Sequence, residues 1–370
     1  MIRVAEYCLG NKLVSLAKDR KTAETMECQG LEYIFPEGET LYFWPEQVKL
    51  SIDETVREKL DICSDYDVFQ INSAGIFYRC YDSASADNAL MITAHCNSNC
   101  IMCPATDTQR KSNNTPDLRE FLNIIRHIPS DCEHLTLTGG EPFLFGEDFF
   151  VILDRLRVSM PRTEYLLLTN GRAFAYMPYI VHFKETAPPN MLIGIPLHGY
   201  DAKTHDRITR SPGGFLQTAT GIKRLLKCGY SVEIRIVVSK LNRTFITQIA
   251  ELIATEFQGV SRVEIMGLEM LGNAAVYKED VWIPYREAFL AAKEAIDLLV
   301  RLSITVGLYN FPLCAVDREY YLIAAKSITD FKVRYPEKCK GCAVKDACGG
   351  VFQGSLRLAE KDIRPVLEYD

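Results

Sequence analysis

Cys96-Asn97-Ser98-Asn99-Cys100-Ile101-Met102-Cys103 follows, two residues on, the apolar run Ala89-Leu90-Met91-Ile92-Thr93. The run reads as a buried strand, which places the cysteines in the loop at its C-terminal end. Three thiolates at C-x3-C-x2-C spacing can hold three corners of a cubic four-iron cluster. Such clusters ordinarily take four cysteine ligands, so three leave one iron open to a small molecule. Zinc is the competing reading. Structural zinc sites usually pair C-x2-C with a second pair, and no second pair lies near this loop in the sequence.

Outward from the loop, apolar runs alternate with longer amphipathic segments. Strands are expected at 89–94, 134–138, 164–169, 191–197, 231–238 and 260–266. Helices are expected at 116–127, 147–157, 173–183, 214–227, 244–256 and 284–301, the first with Pro116 in its opening turn. Six such units imply a parallel sheet with crossover helices. The fold class is therefore α/β, a partial (β/α)6 barrel of TIM type. Ligands of such sheets lie at the C-terminal strand ends. The chemically suggestive stretches fall there: Thr138-Gly139-Gly140-Glu141-Pro142, Thr169-Asn170-Gly171, Ile195-Pro196-Leu197-His198-Gly199 and Met266-Gly267-Leu268-Glu269. In the first of these places, the glycines allow close backbone approach to a ligand, and backbone carbonyls with the Glu141 carboxylate can receive an ammonium group.

Residues 1–85 read differently, as a small, mostly β module. Hairpins are expected where 31–35 and 40–44 flank Pro36-Glu37-Gly38-Glu39, and where 68–71 and 75–78 flank Asn72-Ser73-Ala74. Between them, Ser51 and Glu54 have the spacing of a helix start with Ser51 as N-cap. The aromatic residues of the module suit its own core better than a peptide-binding edge. The barrel is expected over 86–305 and a cysteine-rich extension over 306–370. In that extension Cys339, Cys342 and Cys348 form C-x2-C-x5-C, with Cys314 upstream. Four thiolates could ligate a second four-iron cluster or a structural zinc.

Composition narrows the function classes. Of 370 residues, 48% are hydrophobic and 24% charged, as in ordinary globular proteins with a sizeable core. A net charge of -6 argues against a general nucleic-acid binder. No apolar run reaches membrane-spanning length, and the first residues do not read as a signal peptide. Thirteen cysteines then point to a reducing cytoplasm and to metal or thiol chemistry. His95, His134, His198 and His205 read individually as hydrogen-bonded loop or strand-end residues, and no general acid–base pair stands out.

Taken together, these motifs resemble the radical S-adenosylmethionine (SAM) superfamily over roughly residues 89–275, in the branch of peptide maturases and sulfatase-maturing enzymes. The resemblance implies that Cys96, Cys100 and Cys103 hold a [4Fe-4S] cluster whose open iron is chelated by SAM. It implies that Met102 lies against the adenine and that Gly139, Gly140, Glu141 and Pro142 bind the SAM amino group. Asn170 and the segment around Leu268 would line the nucleoside. Relatives often carry a serine where this chain has Pro196, and an aspartate where it has His198. The SAM carboxylate then needs a cation, for which Arg210 and Arg235 are the candidates.

The C-terminal spacing is similar to part of the SPASM and twitch extensions. A full SPASM set would have a cysteine at 352, where Phe352 stands, so one auxiliary [4Fe-4S] cluster is implied at Cys314, Cys339, Cys342 and Cys348, with zinc as the alternative. The whole chain, and above all Tyr309 to Cys314 with Cys339 to Gly350, resembles the C-type radical SAM maturase family of the His-Xaa-Ser system (HxsC). That resemblance implies a peptide or small-protein substrate modified by hydrogen abstraction, with a cross-link among the outcomes. It also implies an electron donor of flavodoxin or ferredoxin type and allows a second radical SAM maturase as companion. The competing readings are a radical SAM enzyme acting on a small molecule or nucleotide, and a non-catalytic electron carrier. A pure carrier has no use for an amino-acid-binding turn such as Gly139 to Pro142.

Overall fold

The computed structural model describes residues 2–112 and 115–368. The N-terminal region carries β1 (Ile2–Arg3), β2 (Lys12–Leu16), α1 (Arg20–Cys28), β3 (Tyr33–Glu37), β4 (Thr40–Trp44), β5 (Val48–Ser51), α2 (Glu54–Asp61), β6 (Val68–Ile71) and β7 (Ile76–Tyr81). They form one sheet in the order β1-β7-β6-β2-β3-β4-β5. Both expected hairpins are present, β3 with β4 and β6 with β7. The sequence reading missed that β2 runs parallel to β3, joined through α1. It also misplaced a cap. Ser51 is taken up in the ladder opposite Thr40, so the next acceptor side chain, Asp53, caps α2 by accepting from the Val56 N–H at 2.8 Å. The aromatics serve packing: Phe43, Phe69 and Phe77 are buried in the module's core, and Tyr33 stacks on Trp44 at 5.6 Å.

The barrel strands are β8 (Ala89–Thr93), β9 (His134–Gly139), β10 (Glu164–Leu168), β11 (Met191–Pro196), β12 (Ser231–Val237), β13 (Arg262–Met266), β14 (Val306–Tyr309) and β15 (Ala324–Ala325). Every neighbouring pair is parallel, in simple sequence order. The six expected strands are β8 to β13. The last two strands extend the sheet beyond six. They are too short, and β14 is interrupted by Gly307, to show a strand pattern.

Between the strands run α3 (Asp107–Arg110), α4 (Leu118–His127), α5 (Glu147–Ser159), α6 (Met177–Thr186), α7 (Ala202–Thr209), α8 (Gly214–Lys227), α9 (Ile246–Glu256), α10 (Asn273–Val276), α11 (Lys278–Val281) and α12 (Tyr285–Arg301). Each long helix buries one apolar stripe against the sheet, as α4 does with Phe121, Ile124 and Ile125. Two starts differ from expectation. Asp117 caps α4 in a reciprocal capping box with Glu120, leaving Pro116 outside the helix. The segment at 173–183 divides into a 3-10 turn, Arg172–Ala175, and α6, because Pro178 is tolerated only in a first turn. After β15 the chain is mostly short 3-10 turns with one small antiparallel pair, β16 (Val333–Arg334) and β17 (Val351–Phe352). Among the described residues no helix is long and apolar enough to cross a membrane.

Candidate functional site

The cysteine loop leaves β8 at the C-terminal mouth of the sheet and is held there by its backbone. Asn99 N–H donates to the Thr209 carbonyl at 3.0 Å and Ile101 N–H to the Ile208 carbonyl at 2.9 Å, so the end of α7 supports it. Asn273, at the start of α10, donates through Nδ2 to the Asn99 side chain and to the Cys100 carbonyl, both at 3.1 Å. Arg172 reaches in from the β10 exit to the Asn97 carbonyl at 2.7 Å and the Ser211 hydroxyl at 2.6 Å. Buried Arg110 binds Asn99, Asp107 and the Ala105 carbonyl. Arg110 and Arg172 were invisible to the sequence reading, because an arginine that braces a loop carries no spacing signature.

The thiols face a mixed environment. Ser98 N–H donates to Cys96 Sγ and Ala105 N–H to Cys103 Sγ, each at 3.4 Å. Burial pushes the Cys96 thiol up and the Cys100 thiol up to about 12, with neighbouring cysteine charges adding and Arg110 opposing. A bound cation reverses that balance by binding thiolate directly. Among the described residues no three Cys, His, Asp or Glu side chains draw together around a single-ion site. Three thiols on one loop, two of them accepting backbone N–H groups, fit a cluster bound at separate corners.

The Gly139 to Pro142 turn packs against this loop. Gly140 N–H donates to the Thr93 carbonyl and Glu141 N–H to the His95 carbonyl, both at 2.7 Å. A Cβ on Gly140 would stand 2.1 Å from the His95 carbonyl oxygen, so the close approach itself demands glycine. Glu141 is 1% exposed. Its carboxylate accepts from Thr169 Oγ1 at 2.7 Å, Asn170 N–H at 2.8 Å and Phe143 N–H at 3.3 Å. Burial raises its pKa against those three bonds. The side chain thus joins the exits of β9 and β10. Asn170 itself donates through Nδ2 to Asn97 Oδ1 at 2.6 Å.

The remaining candidates separate into two places. Met102 and Leu268 lie in one buried apolar group with Ile101, Ile208 and Met270. Arg210 follows α7 in the left-handed conformation, φ 49, next to the residues that hold the cysteine loop, and lies over the Tyr277 ring at 4.1 Å. His198 is buried beyond β11 with Nδ1 lacking a partner among the described residues, and burial pushes its pKa down to about 3, so the ring is neutral. Arg235, by contrast, sits within the strand β12 and pairs with Glu233 at 3.3 Å.

The second cysteine group converges as well. Cys314, Cys339, Cys342 and Cys348 line one pocket, together with Tyr335 and Pro336. Leu313 N–H and Gly350 N–H donate to Cys348 Sγ at 3.3 and 3.4 Å. Burial pushes the Cys314 thiol up to about 11, with the other three cysteines adding to it.

Residues 90–253 match the family model of the Radical SAM superfamily. Over 164 residues the chain is 30% identical to the AdoMet-dependent heme synthase of Methanosarcina barkeri, which is 44% of this chain and 45% of that protein. Among solved structures, Streptococcus suis SuiB bound to the precursor peptide SuiA is similar with a TM-score of 0.50 at 12% identity, over 62% of this chain and 49% of that one. The chain spans about half the length of these relatives, and the likeness to SuiB is one of fold. Residues 90–253 thus match a radical SAM superfamily domain, a family that uses a [4Fe-4S] cluster and S-adenosylmethionine.

Proposed function

We propose that the protein is a radical SAM enzyme that modifies a ribosomally made peptide or small protein of His-Xaa-Ser type. The observation that carries the enzymatic reading is the cysteine loop held at the sheet's C-terminal mouth against the Gly139 to Pro142 turn. When bound and reduced, the cluster with SAM supplies a 5′-deoxyadenosyl radical, which abstracts hydrogen from the substrate. Cys96, Cys100 and Cys103 are the ligands in this reading. Met102 and Leu268, members of one buried apolar group, take the adenine. Gly139, Gly140 and Pro142 receive the amino group through backbone, while Glu141 fixes the turn. Asn170 lines the ribose, and His198 at the end of β11 offers Nδ1, which lacks a partner among the described residues. Arg210 is the better partner for the SAM carboxylate, because it adjoins the carbonyls that hold the cysteine loop.

Cys314, Cys339, Cys342 and Cys348 would hold one auxiliary [4Fe-4S] cluster, in keeping with their shared pocket. Such a cluster would supply an electron acceptor, and a cross-link that loses two hydrogens would give one to the abstracting radical and the other as a proton to solvent and an electron to that acceptor. In this division of labour residues 1–85 serve substrate docking, 86–305 the radical chemistry and 306–370 the auxiliary cluster. An electron donor of flavodoxin or ferredoxin type is required, and a second radical SAM maturase is a candidate companion. The peptide reading draws support from SuiB, which was solved with a precursor peptide. A small-molecule substrate is the second reading, favoured by the 30% identity to a heme synthase. Mass spectrometry of a His-Xaa-Ser precursor co-expressed with the enzyme tests the first. A mass change that requires the intact cysteine loop supports it. An unmodified precursor beside active SAM cleavage overturns the peptide reading, and absence of SAM cleavage by reconstituted protein overturns the enzymatic one.

A further inference from the structure

The concave face of the sheet carries charge where a core would be apolar. Val232, Ile234 and Ile236 of β12 and Val263 and Ile265 of β13 are fully buried in the main apolar core. The alternate positions therefore face the other way, into the barrel, and they are Glu233, Arg235, Arg262 and Glu264. Strand register sets them in two tiers: Glu233 opposite Arg262, and Arg235 opposite Glu264. Gly307 of β14 stands opposite Glu264. A Cβ there would lie 2.1 Å from Glu264 Oε2, so the carboxylate occupies the space a side chain at 307 would fill.

The four charges sum to zero, yet they pair poorly. Glu233 Oε1 meets Arg235 Nε at 3.3 Å, and Glu233 Oε2 meets Arg262 Nε at 3.6 Å. Arg262 also contacts Glu264. Still, Glu233 Oε1, Arg235 Nε, Arg262 Nε and Glu264 Oε2 are buried without a well-aligned hydrogen bond among the described residues. Burying charge without hydrogen bonds is costly, so these groups call for further polar partners, water or a ligand, inside the barrel. Burial also pushes Glu264 up to about 7, which lets the tier accept a further negative charge by holding a proton.

Of the four, Arg235 is the one placed to meet a ligand from the mouth. It lies one tier below the last residue of β12, which ends at Val237. Its side chain is 17% exposed, against 4% for Glu233 and 0% for Glu264, while Arg262 is 36% exposed. Arg262 opens β13 at the opposite end of the barrel. Glu233 fixes the Arg235 Nε side, and among the described residues this is its one ion pair. A guanidinium fork held in this way suits bidentate capture of a carboxylate.

We propose that Arg235 is the receptor for a substrate carboxylate inside the barrel, held in place by Glu233. The substrate class is thus narrowed to one presenting an acidic side chain or a terminal carboxylate near the site of hydrogen abstraction. The inference rests on the reading that SAM occupies the mouth, with its own carboxylate at Arg210. A carboxylate at Arg235 could come from the substrate or from SAM, and the test separates the two.

The probes are N-acetylglutamate α-amide and its neutral isostere N-acetylglutamine α-amide, titrated calorimetrically into anaerobic reconstituted protein saturated with SAM. Wild type is expected to bind the acid at least tenfold more tightly than the amide. In Arg235→Gln that ratio falls to about one. Equal binding of the two probes by wild type, or an unchanged ratio in Arg235→Gln, overturns the proposal. So does a loss of SAM affinity in Arg235→Gln that exceeds the loss of probe discrimination, since the carboxylate then belongs to SAM. Should Arg235→Gln not fold, Arg235→Lys keeps the buried charge without the fork. Its discrimination must drop at least threefold, and undiminished discrimination overturns the proposal. SAM binding is read in the same series. Failure of wild type to bind SAM defeats the functional reading, whereas SAM binding without probe discrimination defeats this inference alone.

Discussion

Thr169 Oγ1 donates to Glu141 Oε1 at 2.7 Å, across the exits of two adjacent barrel strands. Asn170 N–H donates to the other carboxylate oxygen at 2.8 Å. Glu141 is therefore the bolt between the turn that would receive the SAM amino group and the loop that would line its ribose. Glu141→Gln puts an amide N–H against one of those donors. Leaving a buried donor unsatisfied costs about 1–3 kcal/mol, and denaturant unfolding should show a loss of that size. An unchanged midpoint would mean the carboxylate is not a structural bolt.

Replacement of Cys96, Cys100 or Cys103 by Ala should abolish deoxyadenosine formation while circular dichroism stays near wild type. The loop keeps its backbone bonds to Ile208 and Thr209 without the thiols, so the fold has no reason to follow the metal. Wild-type deoxyadenosine rates in any of the three variants would remove that cysteine from the ligand set.

Reconstituted wild type should hold about eight irons, in two cubanes of four. Cys342→Ala should lose about four of them and most product, while some SAM cleavage persists at the first cluster. Elemental analysis with Mössbauer spectra distinguishes this from zinc. Near-stoichiometric zinc and unchanged iron in the variant would show a structural zinc site.

His127 ties α4 to the N-terminal sheet through a 2.9 Å contact between its Nδ1 and Ser15 Oγ. Both residues are buried. Burial, with Arg126 adding, pushes the imidazole down from 6.5 to about 4. The fold therefore holds the neutral ring, and the unfolded chain takes up a proton first as pH falls. The stability His127 contributes is complete above about pH 6.5 and is lost progressively between there and about pH 4. Unfolding midpoints measured across that window should fall less steeply in His127→Gln than in wild type. Parallel curves would show that His127 does not titrate with folding.

The strand-and-helix alternation from Ala89 to Met266 determined the barrel, because apolar runs at these lengths leave few alternatives to a parallel sheet with crossovers. Spacing alone likewise singled out the two cysteine groups, since clusters of neighbouring thiols are written locally in the chain. The sequence could not show what holds those groups in place. Arg172 and Asn97 are far apart in sequence, and only the folding of the β10 exit onto the β8 loop joins them. Nor could it rank Arg210 against Arg235. An arginine's meaning depends on which strand face and which tier it occupies, and that is fixed by β12 and β13 pairing across the barrel. The same holds for Gly307, which reads as a flaw in a short strand until Glu264 is found occupying the space its side chain would fill. Local chemistry was legible because it depends on residues a few positions apart. The charged interior was not, because its parts meet only through long-range packing of separate strands.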